Sequence, residues 1–253
     1  MIDSHAHLQD EKFNNIEQII QNATDAGVTK IVCASSSLKT SKQAVAIANK
    51  FNNVFATVGV HPEEANEWNE KTKKEIIDLA KNSKVVAIGE TGLDYYYEFC
   101  SRDKQKECFI EHIMLANILK LPLVIHSRDA CKDTIEIIRN NLDYLKNGVV
   151  IHCFNMSIEI LKEILNYGFY ISLGGAITFK NARNLLEIVR AVDIKQLMLE
   201  TDCPYMSPEP FRGKINEPKN IEFVARKIAE LKNMTIEEVK KITSENAEKF
   251  FKI

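Results

Sequence analysis

The sequence predicts an α/β fold, a (β/α)8 barrel formed as a single domain over residues 1–253, and three observations predict it. Eight short, β-branched apolar runs alternate with longer helical patterns from one end of the chain to the other, the mark of a parallel sheet with crossover helices. Most of those runs are near-continuous rather than alternating, as in strands buried on both faces. The length of 253 residues suits one barrel of roughly 250 residues. A doubly wound open sheet is the runner-up.

Taken in order, the strands are expected at residues 1–5, 28–33, 54–60, 85–89, 121–126, 148–152, 169–173 and 196–201. Between them, the stretch 105–119 repeats Phe109, Ile113 and Ala116 at helical spacing, which packs one face onto a sheet. The segment 220–251 reads as two further amphipathic helices. Thr235 followed by Glu238 has the spacing of a capping box that opens the second.

Composition narrows the function. With 33 Lys+Arg against 35 Asp+Glu the formal charge is −2, 45% of residues are hydrophobic and 27% charged. These proportions exclude a disordered chain and a long cationic groove, while leaving room for a local phosphate-binding patch. No stretch approaches the roughly 20 apolar residues of a membrane span. The six cysteines are scattered without a CxxC pair and read as reduced thiols. The N-terminus lacks the basic start and apolar run of a secretory signal, so a cytoplasmic protein is expected. The oligomeric state is left open, a monomer being compatible with the sequence.

The histidines carry the chemistry. Of six, only His112 lies within a helical stretch, where packing explains it. His5, His7, His61, His126 and His152 fall at or just beyond the carboxyl ends of expected strands, the face on which active sites of this fold are built. His5 and His7 form a His-x-His pair, and alternation along a strand points both rings the same way. Glu90 follows the fourth strand and Asp202 the eighth. Imidazole plus carboxylate from separate strands suits a divalent ion such as Zn²⁺, Mn²⁺ or Mg²⁺. The two oxygens of Glu90 can bridge two such ions about 3.5–4 Å apart.

Taken together, MIDSHAHL at the start, GVHP (59–62), GETGLDYY (89–96), HSRD (126–129), HCF (152–154), ETDCPY (200–205), RGKINEP (212–218) and NAEKFF (246–251) resemble the TatD family of metal-dependent hydrolases. The matches run in order across the whole chain. The resemblance implies a TIM barrel of the amidohydrolase superfamily and a metal-dependent deoxyribonuclease. It further implies one ion held by His5, His7, Glu90 and Asp202, and a second by Glu90, His126 and His152, with Glu90 the bridge. Many relatives in the superfamily bridge through a carboxylated lysine instead. Here the only lysine of the fourth strand segment, Lys84, lies at its opposite end. The chain departs from the family at Asn155 and Met156, where a small residue and a glycine are usual.

On this basis the expected activity is hydrolysis of DNA phosphodiester bonds from a strand end, with DNA as substrate and two divalent ions as cofactors. By inference from the superfamily, Asp202 both binds metal and accepts the proton of the attacking water. His61, outside the ligand count, orients phosphate or carries a proton. Glu200, on the same side of its strand as Asp202, is expected to hold a ligand histidine or a cation. Arg128 and Arg212, with Lys214, are candidate phosphate contacts. Tyr95, followed by Tyr96 and Tyr97, is a candidate for stacking on unpaired bases. Cys153 and Cys203 adjoin ligands but are expected to face away from the metals, and Trp68 reads as packing. A hydrolase of a small amide, lactone or phosphoester is the alternative. A non-catalytic metal-binding protein is the third reading.

Overall fold

The computed structural model describes residues 1–97 and 99–253. Among them, the strands are β1 (Ile2–Ala6), β2 (Lys30–Cys33), β3 (Val54–Val58), β4 (Val85–Asp94), β5 (Leu123–Arg128), β6 (Val149–Ile151), β7 (Tyr170–Leu173) and β8 (Leu197–Leu199). The helices are α1 (Ile16–Asp25), α2 (Leu38–Lys50), α3 (Glu70–Leu79), α4 (Arg102–Leu119), α5 (Cys131–Asn140), α6 (Ile158–Asn166), α7 (Arg183–Ala191), α8 (Ile221–Lys232) and α9 (Ile236–Phe251). The strands belong to one sheet in chain order, and the fold class is the (β/α)8 TIM barrel. Among the described residues, no helix is long and apolar enough to cross a membrane.

The chain divides into two compact units. The first comprises Met1–Cys33 with Cys153–Ile253. In it β1 pairs in parallel with β2 and β7 with β8. The strands bury Ile2, Ile31, Val32, Ile171, Leu173, Leu197 and Leu199, because both faces of a parallel sheet are covered. Helix α9 opens on the expected capping box: Thr235 Oγ1 accepts from the Glu238 amide while the Glu238 carboxylate accepts from the Thr235 amide.

The second unit is Ala34–His152, in which β3, β4, β5 and β6 pair in parallel in sequence. Its fourth strand differs from expectation. A strand ending at Gly89 is predicted, but β4 continues to Asp94, with Gly92 paired to His126 and Asp94 to Arg128. The two glycines that interrupt the apolar run are the reason. Gly89 and Gly92 have φ of +134° and +137°, and a Cβ on either would sit 2.6 Å from Val124 O or 2.0 Å from His126 O. Only glycine allows this backbone and this approach to β5. His112 and Trp68 pack as expected: both are buried, with ring centroids 4.1 Å apart.

Candidate metal centre

Each unit carries a set of metal-competent donors at the carboxyl ends of its strands. In the first, His5 lies within β1 and His7 just after it. Their rings are 5.0 Å apart, and their Nε2 atoms lie 3.8 and 3.3 Å from Asp202 Oδ1. Asp202 sits three residues beyond β8 in a turn with φ +55°, not on extended strand. Two backbone hydrogen bonds bring it there: its amide donates to His5 O at 2.9 Å, and the His7 amide donates to Cys203 O at 2.7 Å.

Below this set lies Asp3, which sequence reasoning passed over. It is fully buried and accepts from the Thr201 amide, the Thr201 hydroxyl and the His5 amide at 2.9, 2.5 and 3.3 Å. Burial pushes its carboxyl up to about 8 against the pull of those bonds. Its signal in the sequence was position, i−2 from His5 on the same face of a strand. Glu200, also fully buried, accepts from the Cys153 amide at 2.7 Å and the Ser172 hydroxyl at 2.6 Å. Glu200 thus fixes the backbone immediately after His152.

In the second unit Glu90, His126 and His152 form a triangle. His152 Nε2 is 2.9 Å from Glu90 Oε2 and 3.1 Å from His126 Nδ1, and His126 Nδ1 is 3.8 Å from the same Glu90 oxygen. Glu90 and His126 lie within β4 and β5, and His152 one residue past β6. His126 Nε2 donates to Asp94 Oδ2 at 3.0 Å, so its proton is on Nε2 and the Nδ1 lone pair is turned to the triangle. Asp94 is another residue absent from the expected site. Burial acts to raise its carboxyl, but the hydrogen bond from His126 and the amides of Tyr96 and Tyr97 outweigh it and hold it below its ordinary value. Its signal was again the strand period, Glu90, Gly92 and Asp94 sharing one face.

His61 stacks edge-on against His126 at 4.3 Å. It caps the 3-10 turn Pro62–Glu67, its Nδ1 accepting from the Glu63 amide at 3.2 Å. Burial, then the neighbouring His126, pushes its imidazole down to about 3, so the ring is neutral and its proton sits on Nε2. His112 reaches the same turn from inside α4. Its Nε2 accepts from the Val60 amide at 3.1 Å and its Nδ1 donates to Cys108 O at 2.8 Å.

The donors fit divalent ions. Ligand atoms about 2.0–2.2 Å from one ion lie roughly 3.0–3.5 Å from each other, depending on coordination number. Each set presents nitrogen–oxygen or nitrogen–nitrogen separations of this size. His5, His7 and Asp202, and likewise His61, Glu90 and His126, each offer one donor atom apiece within 4.8 Å of the others.

The remaining expected residues are distributed unevenly. The Tyr95 hydroxyl donates to Asp133 at 2.7 Å and its ring lies under Arg102; beside it in the chain, the rings of Tyr96, Tyr97 and Phe99 are exposed at 55, 40 and 64%. Arg128 lies 3.7 Å over Tyr96 and 5.2 Å from Tyr97. Arg212 is exposed and lies 4.2 Å over Phe179. Asn155 is exposed and lines a hollow with Leu173, Ile177 and Met206, whereas Met156 is buried. Cys153 is in a turn with φ +46°, so strand alternation does not govern its direction. Cys203 is buried, and burial, followed by the charge of Asp3, keeps its thiol far above the ordinary range.

Imidazole and carboxylate donors at the strand ends of this fold define the class, a metal-dependent hydrolase, and the relatives agree. The chain is 40% identical over 254 residues to the uncharacterized metal-dependent hydrolase YabD of Bacillus subtilis, covering 100% of this chain and 99% of that one. It is 35% identical over 257 residues to the uncharacterized metal-dependent hydrolase YcfH of Escherichia coli, covering 100% and 96%. The crystal structure of the Escherichia coli TatD homolog YjjV superposes with a TM-score of 0.93 at 26% identity, covering 100% and 98%. Residues 2–252 match the family described as TatD related DNase, and the chain belongs to that family.

Proposed function

We propose that this hydrolase is a deoxyribonuclease that cleaves DNA phosphodiester bonds from a strand end, using two divalent ions. His5, His7 and Asp202 would hold one ion, and Glu90, His126 and His152 would hold the other. When bound, such ions lower the pKa of water and neutralise phosphate oxygens.

The chain's own residues supply the rest. Asp202 accepts the proton of the attacking water on a carboxylate oxygen. His61, neutral with its proton on Nε2, donates a hydrogen bond to a non-bridging phosphate oxygen. Asp94 keeps His126 in the tautomer that presents Nδ1. Arg128 forks onto the adjacent phosphate, and the rings beneath it offer faces to unpaired bases. A recessed site at the strand ends admits a chain terminus more readily than a continuous duplex.

The observation that favours nucleic acid over a small substrate is the tier of exposed aromatic rings under Arg128, a few residues along β4 and β5 from Glu90 and His126. A small amide or lactone has no use for it. The test incubates the metal-reconstituted protein with end-labelled single- and double-stranded DNA beside a panel of small esters and amides, with chelator and Asp202→Asn controls. Stepwise release of nucleotides is expected. Turnover of the small panel alone would replace DNA with a small-molecule substrate, and efficient cutting of closed circles without end digestion would remove the preference for ends.

A further inference from the structure

Two segments of the first unit, 178–184 running from beyond β7 into the first turn of α7 and 207–215 after β8, are built into one piece. The Glu209 amide donates to Thr178 Oγ1 at 2.8 Å, and Arg212 stacks on Phe179. A Cβ on Gly175 would lie 2.0 Å from Met206 O, so the backbones touch. The second loop is fixed relative to Asp202: buried Asn216 donates from Nδ2 to Thr201 O and Tyr205 O at 2.9 and 2.8 Å, and its amide donates to Pro204 O.

This piece is cationic in a chain that is not. It carries Lys180, Arg183, Arg212 and Lys214 against the single acid Glu209, a local charge of +3 where the whole chain is −2. All four cations are exposed, and none has a carboxylate partner among the described residues. Elsewhere surface lysines are often paired, as in Lys30–Glu248, Lys73–Glu111 and Lys106–Asp133. Unpaired cations on a rigid support, tied to the proton-accepting carboxylate, are complementary to a ladder of phosphates.

We infer that Lys180, Arg183 and Lys214, with Arg212, form a phosphate track that grips the polynucleotide backbone several nucleotides from the bond being cut. The inference rests on the nuclease reading and deepens it: the preferred substrate is a polymer, and affinity grows with its length. The contacts are to phosphate, so the track is indifferent to base sequence.

The test uses the full chain and a fluorescein-labelled single-stranded dodecamer. Binding is measured in chelator across a salt series, and hydrolysis of the dodecamer and of a dinucleotide in the presence of metal. The K180E/R183E double variant is compared with K71E/K74E, which makes the same charge change at exposed lysines of α3. Each phosphate contact to a single strand contributes about 0.7 to the slope of log K against log salt. The track variant is expected to lose roughly 1.4 of slope, and its ratio of dodecamer to dinucleotide kcat/KM to fall at least tenfold, while K71E/K74E changes neither. Equal slopes in wild type and track variant, or equal losses in the two variants, overturn the track even if the wild type digests DNA. A slope difference with no hydrolysis of either DNA by the wild type keeps the track and removes the nuclease.

Discussion

The donor sets of the two units are held by different means. In the first, the metal-competent carboxylate is placed by backbone: Asp202 hangs from His5 O, and the chain beyond it is pinned by the His7 amide. In the second, an imidazole is placed by a side chain, Asp94 holding Nε2 of His126. A backbone tether fixes position and leaves the charge of Asp202 for chemistry, whereas a carboxylate–imidazole tether fixes tautomer and raises ligand basicity. In the reaction proposed above, that contrast becomes a division of labour: the Asp202 set would move the proton and the Glu90 set would hold its ion.

Substitutions at four positions break or sharpen this contrast. The largest effect is expected for Asp202→Asn, which keeps the backbone tether but removes the basic oxygen. Turnover should drop by about 10²–10⁴-fold with an unchanged melting temperature, read by steady-state kinetics beside thermal unfolding; near-normal turnover would remove Asp202 from the chemistry. Asp94→Asn should instead act on the ion, weakening metal affinity about 10–100-fold in a competition titration against a chromogenic chelator. A turnover loss in that variant with full metal affinity would erase the distinction between the sets.

The third effect is on stability. His112→Phe keeps the ring volume but strands the Val60 amide, at a cost of about 1–3 kcal/mol in denaturant unfolding, while His112→Gln, which restores an acceptor, should recover part of it. The last contrast is a pH dependence in the first unit. Burial raises Asp3 in the fold to about 8 from an unfolded value near 3.8, so the folded state binds the extra proton between those values. Its contribution is full below about pH 4 and is lost as pH rises toward 8. Metal-free Asp3→Asn should therefore show a flatter stability profile than wild type over that window in pH-resolved chemical unfolding; parallel profiles would mean that Asp3 is ionised in the fold.

Much of this was legible in advance. The eight-fold alternation, the donors at strand ends and the Thr235–Glu238 cap depend on residues a few positions apart, and short-range spacing is what periodicity encodes. Boundaries were less legible. Glycine reads as a strand breaker, and nothing local to Gly89 and Gly92 reveals that β5 needs their missing Cβ atoms, so the strand was expected to stop short and Asp94 was left without a role.

By itself, then, the sequence determined the fold class and the family, and singled out His5, His7, Glu90, His126, His152 and Asp202 as candidate donors. Tertiary structure alone decided which groups support them: Asp94 on His126, Asp3 on Thr201, Glu200 on Cys153, His112 on Val60, and Tyr95 turned to Asp133 while Tyr96 and Tyr97 stay exposed. The reason is physical. A carboxylate is written identically in the sequence whether it faces water, a ring nitrogen or an amide, and its partner is set by register and turn geometry between segments 30 to 200 residues apart.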